Sequence, residues 1–597
     1  MNHLTANLNT LWASLLVEEL VRNGVTYFCL APGSRCTPLT VATADHPDVR
    51  ESIHHDERGV GFCALGYGRA TGRPAAIVTT SGTAVANLMP AVVEASLEQI
   101  PLLILTGDRP PELRDTCANQ TIDQVKIFGR YVRWFVDLPC PTGRVSPAFV
   151  LTTVDQAVHQ SRDGTAGPVH INCMFREPLG PEPREMDFTE YLQPLGRWQE
   201  GSTPYTTYEA MNPPSDPPAI EGIADVLRQT ERGLVVIGDL PNRAGHPGVH
   251  TLIERLQWPV YADITSGYRL GDASGLVVAG ADIFMMQWDL HGADLAPDTV
   301  LHLGGRMVSK QAHEVLCHDG LLHYILISDH AGRQDPGHRV SDRIEGDVNH
   351  IAARVAEGLP TFGSRSWLRK WTARSAAAEA CLEDFVAGAS ELSEPVVARL
   401  ISRALPEDHG LFLGNSIPVR AMNSFAESHG AAVPVEANRG ASGIDGTLAT
   451  AFGFAEGLRG PVTLFMGDLA FLHDLNSLNY LAAGSYPVVV LVVNNNGGGI
   501  FSFLPIARFK PYWERYFVTP HDLTFEKVAA MYGLSYVCPS DPAGLLEAYG
   551  KAVKRKGSTI IEISVDRKKS HALHRRLVEE VRKAVSTEKA GDRGTRR

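Results

Sequence analysis

Val462-Thr463-Leu464-Phe465-Met466-Gly467-Asp468 is a short apolar run that ends in a glycine and an aspartate, the pattern of a buried strand followed by a turn. A second apolar run, 488–493, ends in Asn494-Asn495-Asn496-Gly497. The amphipathic segment 474–483 between the two runs predicts a helix. A strand, helix, strand unit places its two strand ends side by side at one edge of a parallel sheet, where α/β folds bind their ligands.

The two predicted strand ends supply oxygen atoms suited to a hard cation. Asp468 offers a carboxylate, Asn495 an amide oxygen and Gly497 a backbone carbonyl in a glycine turn. Mg²⁺ prefers such ligands and completes its shell with water and phosphate oxygens, so the motif predicts a magnesium-bound diphosphate; Mn²⁺ accepts similar ligands. Gly-Asp recurs elsewhere in the chain, but no other copy is followed by an asparagine at the same separation. Each half of the motif is also common as an ordinary turn.

Length and composition narrow the class of protein. The chain has 597 residues, too many for one hydrophobic core, and its 44% hydrophobic and 20% charged residues are typical of a globular protein. The net charge of −12 and the lack of a basic stripe argue against nucleic-acid binding. No apolar run approaches the ~20 residues of a membrane helix, and the N-terminus lacks the basic region of a signal peptide. Nine cysteines without a Cys-x-x-Cys pair predict reduced thiols, a cytoplasmic location and no zinc site.

Alternating helix and strand patterns predict three α/β modules. Strands are expected at 27–30, 75–79 and 102–106 in the first module, and at 234–237, 260–264, 300–303 and 324–327 in the second. The second module lacks the Gly-x-Gly-x-x-Gly fingerprint of dinucleotide sites, and the third carries the metal motif. Proline-rich sequence separates the first two modules. The predicted boundaries are a first domain at 1–180, a linker at 181–218, a central domain at 219–360, a third domain at 361–585 and a flexible tail at 586–597.

The first module contains His54-His55-Asp56-Glu57-Arg58-Gly59 before a segment of small residues, 60–70, that predicts a closely packed helix. The metal motif suits thiamine diphosphate, whose chemistry needs a carboxylate beside the aminopyrimidine ring. Glu57 is the candidate for that carboxylate. The same residues also suit a solvated helix start, where an acidic side chain is favoured.

Six motifs resemble the menaquinone-pathway SEPHCHC synthases, a family of thiamine diphosphate-dependent enzymes named for 2-succinyl-5-enolpyruvyl-6-hydroxy-3-cyclohexene-1-carboxylate. The motifs are Ala31-Pro32-Gly33-Ser34-Arg35, His55-Asp56-Glu57-Arg58-Gly59, Thr80-Ser81-Gly82-Thr83-Ala84, Gly107-Asp108-Arg109-Pro110, Asn438-Arg439-Gly440-Ala441-Ser442-Gly443-Ile444-Asp445-Gly446 and the segment 494–501. The resemblance implies three doubly wound α/β domains in the order pyrimidine-binding, central and diphosphate-binding. It also implies active sites between the first domain of one subunit and the third of another, in a homodimer or homotetramer.

The resemblance further implies a reaction. It is the thiamine diphosphate- and Mg²⁺-dependent decarboxylation of 2-oxoglutarate, followed by 1,4-addition of the succinyl carbanion equivalent to isochorismate, in menaquinone or phylloquinone biosynthesis. Asp468, Asn495 and Gly497 would hold the metal, and the cofactor contacts would be Glu57, Ser442, Ile444, Leu469 and Ala470. Gly499 departs from the family, which often has a longer polar residue there, so the local pocket contacts are expected to differ.

The substrates implied by the resemblance are dicarboxylates, which arginine side chains bind well. The matching residues are Ser34, Arg35, Arg109, Asn119, Gln120, Lys310, Ser416, Arg420, Arg439, Ile500, Phe501 and Leu504. We expect Arg439 and Arg420 to bind the donor's carboxylates, as catalytic residues beside Glu57, and Arg35 with Arg109 to bind the acceptor's. Ile500, Phe501 and Leu504 would exclude water, although ordinary core packing explains them equally well. Each cation also suits a surface charge or a structural ion pair.

Two other functions fit parts of the sequence. Another thiamine diphosphate-dependent 2-oxo acid decarboxylase or carboligase, such as an acetohydroxyacid synthase, would share Glu57 and the metal motif but would not require the matching cations. A catalytically silent scaffold or regulatory subunit would keep the fold without the chemistry. The intact Glu57, Asp468 and Asn495 argue against a silent subunit.

Overall fold

The computed structural model of the chain describes residues 4–182, 186–208, 217–240, 245–272, 274–285, 294–362 and 366–593. The chain divides into two compact units. The first unit consists of Met1–Asn212, Asn438–Arg459 and His473–Ser485, and the second of Pro213–Ala437, Gly460–Leu472 and Tyr486–Arg597. Among the described residues, no helix combines the length and the apolar character needed to cross a membrane.

A six-stranded parallel sheet forms the centre of the first unit. The first strand of the chain, β1 (Leu4–Thr5), lies outside this sheet. The six strands of the sheet are β2 (Tyr27–Leu30), β3 (Arg50–Ile53), β4 (Ala75–Thr79), β5 (Leu102–Asp108), β6 (Trp134–Leu138) and β7 (Pro168–Met174). They lie in the order β3-β2-β4-β5-β7-β6, and β1 pairs separately and antiparallel with β8 (Met186–Asp187). The helices of this unit are Leu8–Arg22, Thr37–Ala44, Glu57–Thr71, Thr83–Asn87, Met89–Leu97, Pro147–Arg162, Thr189–Leu192, Gly196–Glu200, Thr447–Leu458 and Leu478–Ala483.

The second unit contains two more parallel sheets. The strands of the central sheet are β9 (Gly233–Ile237), β10 (Val260–Ala262), β11 (Thr299–Leu303), β12 (His323–Ser328) and β13 (Asp342–Glu345), in the order β10-β9-β11-β12-β13. The strands of the third sheet are β14 (Gly410–Leu413), β15 (Val435–Ala437), β16 (Val462–Gly467), β17 (Val488–Asn494), β18 (Ser535–Val537) and β19 (Thr559–Ser564), in the order β15-β14-β16-β17-β19-β18. The helices flanking these sheets are Pro217–Gln229, Pro247–Leu256, Ala281–Met285, Lys310–Leu316, Val348–Glu357, Ser366–Ala387, Glu394–Ala404, Ile417–Phe425, Asp468–His473, Lys510–Tyr512, Glu526–Met531, Pro542–Ala552 and Arg567–Arg593.

The three parallel sheets with flanking helices confirm the predicted fold class. Strands such as β4 and β17 are buried along their whole length because helices cover both faces of a parallel sheet. The predicted strand 260–264 ends earlier, at Ala262, because the side chain of Asp263 accepts a hydrogen bond from Thr265 N (3.1 Å) and starts a 3₁₀ turn.

The connection between β16 and β17 differs from the single helix predicted at 474–483. It contains a 3₁₀ turn, Leu475–Ser477, followed by the helix Leu478–Ala483. The turn forms because Asp474 accepts a hydrogen bond from the Ser477 hydroxyl at 2.8 Å. Burial raises the pKa of this aspartate to about 6.

Parts of the predicted linker and tail are structured. Within 181–218, the described residues include β8 and two short helices, and Leu192, Leu195 and Trp198 join the buried core of the first unit. That part of the segment therefore buries its apolar side chains in the first unit. Residues 586–593 of the predicted tail belong to the helix Arg567–Arg593. Residues 183–185, 209–216 and 594–597 of the two segments lie outside the described residues.

Two helices of the first unit cross at very short range, as the small residues at 60–70 predict. A Cβ atom added at Gly66 would lie 2.0 Å from the carbonyl oxygen of Thr450, and one added at Gly453 would lie 1.9 Å from that of Cys63. The helices Glu57–Thr71 and Thr447–Leu458 therefore pack backbone against backbone. This contact fixes the helix that Glu57 begins.

Candidate metal, cofactor and substrate site

The ends of β16 and β17 lie side by side, with Gly467 paired to Val493 in parallel register. Asp468 follows β16 and is almost fully buried. Its Oδ2 atom accepts a hydrogen bond from Gly497 N at 2.8 Å, and its Oδ1 atom accepts one from Leu469 N at 2.7 Å. The carboxylate and the glycine turn of the predicted metal motif are therefore in direct contact.

The side-chain oxygen of Asn495 is an unpaired buried acceptor. Asn495 Nδ2 donates to Glu394 Oε1 at 3.1 Å, while Asn495 Oδ1 is buried and has no hydrogen-bond partner among the described residues. An unsatisfied buried acceptor is costly, and a bound cation would satisfy it. This observation fits a metal at the predicted position.

Gly497 adopts a conformation that other residues disfavour. Its φ is 121°, and a Cβ atom would lie 2.2 Å from the carbonyl oxygen of Val518. Its own carbonyl accepts a hydrogen bond from Gly499 N at 2.8 Å and keeps a second lone pair for a cation. The described residues contain no group of three or more His, Cys, Asp or Glu side chains arranged to bind a metal. A metal at this turn therefore depends on amide and carbonyl oxygens as well as on Asp468.

Several residues that no sequence motif indicates hold this turn in place. His521 Nε2 lies 3.2 Å from Asp468 Oδ2, and Arg567 Nη1 donates to the carbonyl of Asn496 at 3.0 Å. Glu394, which contacts Asn495, begins the helix Glu394–Ala404, about one hundred residues before the motif in the sequence. These residues come from separate segments, so no local sequence pattern links them to the motif.

The other predicted cofactor contacts lie in two places. Leu469 and Ala470 form the first turn of the helix Asp468–His473, directly after the metal motif. Ser442, which is exposed and has φ 58°, and Ile444, which is half-buried, lie in the first unit, in the loop before the helix Thr447–Leu458.

Arg439 lies at the start of the same loop, before the point where Glu94 anchors it. The Glu94 carboxylate accepts hydrogen bonds from Gly440 N at 2.8 Å and Ala441 N at 2.6 Å. Arg439 therefore belongs to the first unit, whereas Arg420 belongs to the second.

Glu57 begins the helix Glu57–Thr71, which Asp56 caps by accepting a hydrogen bond from Arg58 N at 3.0 Å. The Glu57 side chain is half-buried and forms no hydrogen bond or ion pair with any residue that the structure describes. It lies near Cys36, whose pKa is raised by burial and, to a smaller extent, by the charge of Glu57. Its carboxylate can therefore accept a new partner without first breaking a bond.

Three predicted substrate residues of the first unit gather around the turn after β4. Arg35 N donates to Thr80 Oγ1 at 3.2 Å, and the Arg109 guanidinium donates to the Ser81 hydroxyl. Gln120 Nε2 donates to the carbonyl of Ser81 at 2.9 Å. The structure therefore brings Arg35, Arg109 and Gln120 together.

The two arginines of this cluster are close enough to affect each other. Burial, followed by the charge of Arg35, lowers the pKa of Arg109. Arg35 is itself partly neutralised, because its Nη2 atom lies 3.3 Å from Glu177 Oε1. The other two predicted polar residues, Ser34 and Asn119, are exposed.

Buried polar groups fix the backbone that carries Arg109. Asp108 Oδ1 accepts a hydrogen bond from Arg109 N at 2.7 Å. Its Oδ2 atom accepts hydrogen bonds from Arg114 Nη2 and Asn172 Nδ2, both at 2.8 Å. The Asp108 carboxylate is thus fully paired and has a structural role.

A cavity of 240 Å³ in the second unit contains most of the remaining predicted residues. Its walls include Lys310, Arg420, Asn495, Ile500 and Leu504. The cavity therefore joins one proposed metal ligand, two cations and two apolar side chains.

Two of the predicted substrate residues, Phe501 and Ser416, are not among the residues that line this cavity. Phe501 packs against Phe517 with a ring separation of 5.4 Å. The carbonyl of Ser416 accepts a hydrogen bond from Arg420 Nη1 at 2.6 Å. Ser416 thus orients an arginine of the cavity through its backbone.

Gly499, the departure from the family pattern, also lines this cavity. A Cβ atom at this position would lie 2.6 Å from Asn495 Nδ2 and 3.0 Å from Ile417 Cδ1. A longer residue here would require Asn495 or Ile417 to move. The glycine is therefore matched to the present position of the Asn495 amide.

Family models of thiamine pyrophosphate (thiamine diphosphate) enzymes match all three parts of the chain. Residues 12–127 match the model described as "Thiamine pyrophosphate enzyme, N-terminal TPP binding domain". Residues 189–413 match "Middle domain of thiamine pyrophosphate", and residues 423–563 match "Thiamine pyrophosphate enzyme, C-terminal TPP binding domain".

Similar proteins agree with this assignment. A 2-succinyl-5-enolpyruvyl-6-hydroxy-3-cyclohexene-1-carboxylate synthase from Rubrobacter xylanophilus is 48% identical over 96% of this chain and 98% of its own length. A synthase of the same name from Salinibacter ruber is 46% identical over 96% of this chain and 97% of its own. The crystal structure of benzoylformate decarboxylase from Polynucleobacter necessarius superposes with a TM-score of 0.72 at 16% identity, covering 93% of this chain and 98% of that one, so it shares the fold. The chain belongs to the 2-succinyl-5-enolpyruvyl-6-hydroxy-3-cyclohexene-1-carboxylate synthase family of thiamine diphosphate enzymes.

Proposed function

We propose that this chain decarboxylates 2-oxoglutarate and adds the resulting succinyl unit to isochorismate, giving SEPHCHC and CO₂ in menaquinone or phylloquinone biosynthesis. The observation that carries the proposal is the near full-length identity of 48% and 46% to two synthases of that name. The contact between Asp468 and Gly497, beside the unpaired oxygen of Asn495, supports the cofactor requirement.

Asp468, Asn495 and Gly497 would hold Mg²⁺, or Mn²⁺ in its place, and through it the diphosphate of the cofactor. A carboxylate, an amide oxygen and a carbonyl oxygen leave room in an octahedral shell for phosphate oxygens and water. Ser442, Ile444, Leu469 and Ala470 would contact the rest of the cofactor. When bound, thiamine diphosphate supplies the carbanion chemistry of the decarboxylation.

Glu57 would act on a proton. Its carboxylate, which has no protein hydrogen-bond partner among the described residues, would hydrogen-bond to the ring nitrogen of the aminopyrimidine. Sharing a proton there would make the exocyclic nitrogen of the aminopyrimidine more basic, as removal of the C2 proton of the thiazolium ring requires. We therefore assign Glu57 the role of cofactor activation.

The cations would bind the carboxylates of the two substrates. Arg35 and Arg109, with Ser34, Asn119 and Gln120, would bind isochorismate, and Arg420 and Arg439, with Ser416 and Lys310, would bind 2-oxoglutarate. The guanidinium groups of Arg35 and Arg109 are close enough to repel each other, so a bound anion is favoured because it relieves this repulsion. Ile500, Phe501 and Leu504 would keep water from the reacting carbon.

We also propose a cytoplasmic homodimer or homotetramer with active sites shared between subunits. All nine cysteines are free, as is usual for proteins of the reducing cytoplasm. The shared site is what the family resemblance implies for Glu57 and Asp468.

The test is to incubate the protein with thiamine diphosphate, Mg²⁺ and 2-oxoglutarate, with and without isochorismate, and to measure CO₂ and product mass. We expect CO₂ release to depend on isochorismate and a product that joins the two substrates minus CO₂. Rapid formation of succinic semialdehyde that does not depend on isochorismate would instead identify a simple decarboxylase.

A further inference from the structure

Glu394 connects three segments of the second unit. It is the first residue of the helix Glu394–Ala404 and is almost fully buried. Its Oε1 atom accepts the hydrogen bond from Asn495 Nδ2 at 3.1 Å, and its Oε2 atom accepts one from the Ser570 hydroxyl. Both oxygens of this buried carboxylate are therefore occupied.

The chemistry of these groups fixes which way the Asn495 amide faces. An asparagine amide can exchange its nitrogen and oxygen by a half-turn about its last bond. A carboxylate only accepts hydrogen bonds, so the amide nitrogen has to face Glu394. The amide oxygen then faces away, and that oxygen is the buried atom without a partner.

We propose that Glu394, held by Ser570, is a positioning residue that keeps the Asn495 oxygen directed at the divalent cation. This inference rests on the proposed metal site. Without the Glu394 carboxylate the amide could turn its NH₂ group toward the cation, which repels it. Partners that orient metal ligands in this way typically affect metal affinity by about 10–100-fold.

The helix Arg567–Arg593, which carries Ser570, also holds the metal turn through Arg567. Ser570 and Arg567 both lie in the first turn of Arg567–Arg593, and Arg567 donates to the carbonyl next to Asn495. Arg567 is in turn paired with Glu514 at 2.6 Å. The helix thus restrains the turn at two points. Arg567 holds the backbone of the turn, and Ser570 acts on the Asn495 side chain through Glu394.

Two substitutions at Glu394 separate orientation from packing. Glu394→Met keeps the length of the side chain but removes the acceptor, whereas Glu394→Gln keeps an oxygen that can accept from Asn495. The dissociation constant of Mg²⁺ is measured at fixed thiamine diphosphate by calorimetry, and that of Mn²⁺ by its paramagnetic resonance signal. We expect Glu394→Met to weaken both by about 10-fold or more and Glu394→Gln by less than about 3-fold.

Glu379→Met is the matched control. Glu379 accepts a hydrogen bond from Arg399 Nη2 at 2.8 Å, and Arg399 lies on the same helix as Glu394 but does not contact the metal turn. This variant should lose thermal stability and keep the metal affinity of the wild type. If it weakened metal binding as much as Glu394→Met, the effect would come from the helix and the proposal would be wrong.

Two further variants complete the design. Ser570→Ala removes only a hydroxyl and should weaken Mg²⁺ binding by about 3-fold or more, so it decides the question if Glu394→Met does not fold. Unchanged affinity in Glu394→Met, or in Ser570→Ala when Glu394→Met does not fold, would overturn the inference while leaving the proposed function intact. Metal binding by Asp468→Ala equal to that of the wild type would overturn the metal site itself.

Discussion

Two acidic residues of the first unit, Asp108 and Glu57, differ in their hydrogen-bond partners and therefore in their expected roles. The Asp108 carboxylate is buried and accepts hydrogen bonds from Arg109 N, Arg114 and Asn172, so its oxygens are committed. Glu57 has no such partner among the described residues and begins a helix that is fixed by close packing. Only the second arrangement leaves a positioned carboxylate available to share a proton.

The first prediction concerns Glu57. Glu57→Gln should lower kcat by about 10²-fold or more, because the amide cannot share a proton with the pyrimidine nitrogen in the same way. Binding of thiamine diphosphate should change little. Steady-state kinetics and a cofactor titration measure the two effects.

The control for this variant is Asp56→Asn. Asparagine caps a helix as well as aspartate does, so this change should keep both the fold and the activity. Equal turnover by Glu57→Gln and the wild type would contradict the role of Glu57 in cofactor activation.

The second prediction concerns the buried His302. Burial lowers its pKa to about 4 in the folded protein, whereas the unfolded chain has the ordinary value near 6.5. Neutral His302 therefore makes its full contribution to the free energy of unfolding above pH 6.5, and this contribution is lost as the pH falls toward 4. The loss between pH 7 and pH 4.5 should be on the order of 2–3 kcal/mol.

Urea unfolding at those two pH values measures this effect. His302→Gln should remove most of the difference that His302 contributes, because glutamine does not titrate. The prediction is wrong if the variant loses as much stability on acidification as the wild type.

At the scale of elements, the sequence predicted regular pieces well and irregular ones poorly. The predicted strands at 27–30 and 75–79 match β2 and β4, because buried parallel strands leave continuous apolar runs between turn residues. The connection at 474–483 was predicted as one helix, but the hydrogen bond from Ser477 to Asp474 breaks it into a turn and a helix. Such side-chain contacts leave no periodic signal.

The third prediction concerns the crossing of Glu57–Thr71 with Thr447–Leu458. Gly66→Ala would place a methyl group 2.0 Å from the Thr450 carbonyl, so the helices must separate. We expect a loss of about 1–3 kcal/mol in stability, seen as a lower melting temperature, together with reduced activity.

Gly550→Ala is the matched control for that variant. Gly550 also lies in a helix, Pro542–Ala552, but an added Cβ atom meets nothing within 4 Å. Because alanine favours helices, this variant should gain about 0.5–1 kcal/mol. A Gly66→Ala protein as stable as Gly550→Ala would show that the helices do not pack closely.

At the scale of the whole molecule, the sequence predicted three parallel sheets and the residues at two strand ends. Asp468 and Gly497 could be paired in advance because adjacent parallel strands end at the same edge of a sheet. Glu394 and Ser570 could not, because they reach Asn495 from segments about which strand order says nothing. The sequence also could not predict that Arg420 and Arg439 belong to different compact units.

The fourth prediction concerns the assembly. If Glu57 of one subunit completes a site with Asp468 of another, co-expressing Glu57→Gln and Asp468→Ala chains restores one intact site in each mixed dimer. Random pairing should then recover about a quarter of the wild-type activity, although each variant alone should show very little. No recovery in mixed dimers confirmed by mass spectrometry would place both residues of a site on one chain.

The most direct test of the central claim is a calorimetric titration of the cofactor-free protein with thiamine diphosphate, in Mg²⁺ and in excess EDTA, for the wild type and Asp468→Ala. We expect saturable binding by the wild type in Mg²⁺, and loss of that binding both in EDTA and in the variant. Equal binding with and without the metal, or equal binding by Asp468→Ala, would contradict a cation-held diphosphate at the ends of β16 and β17.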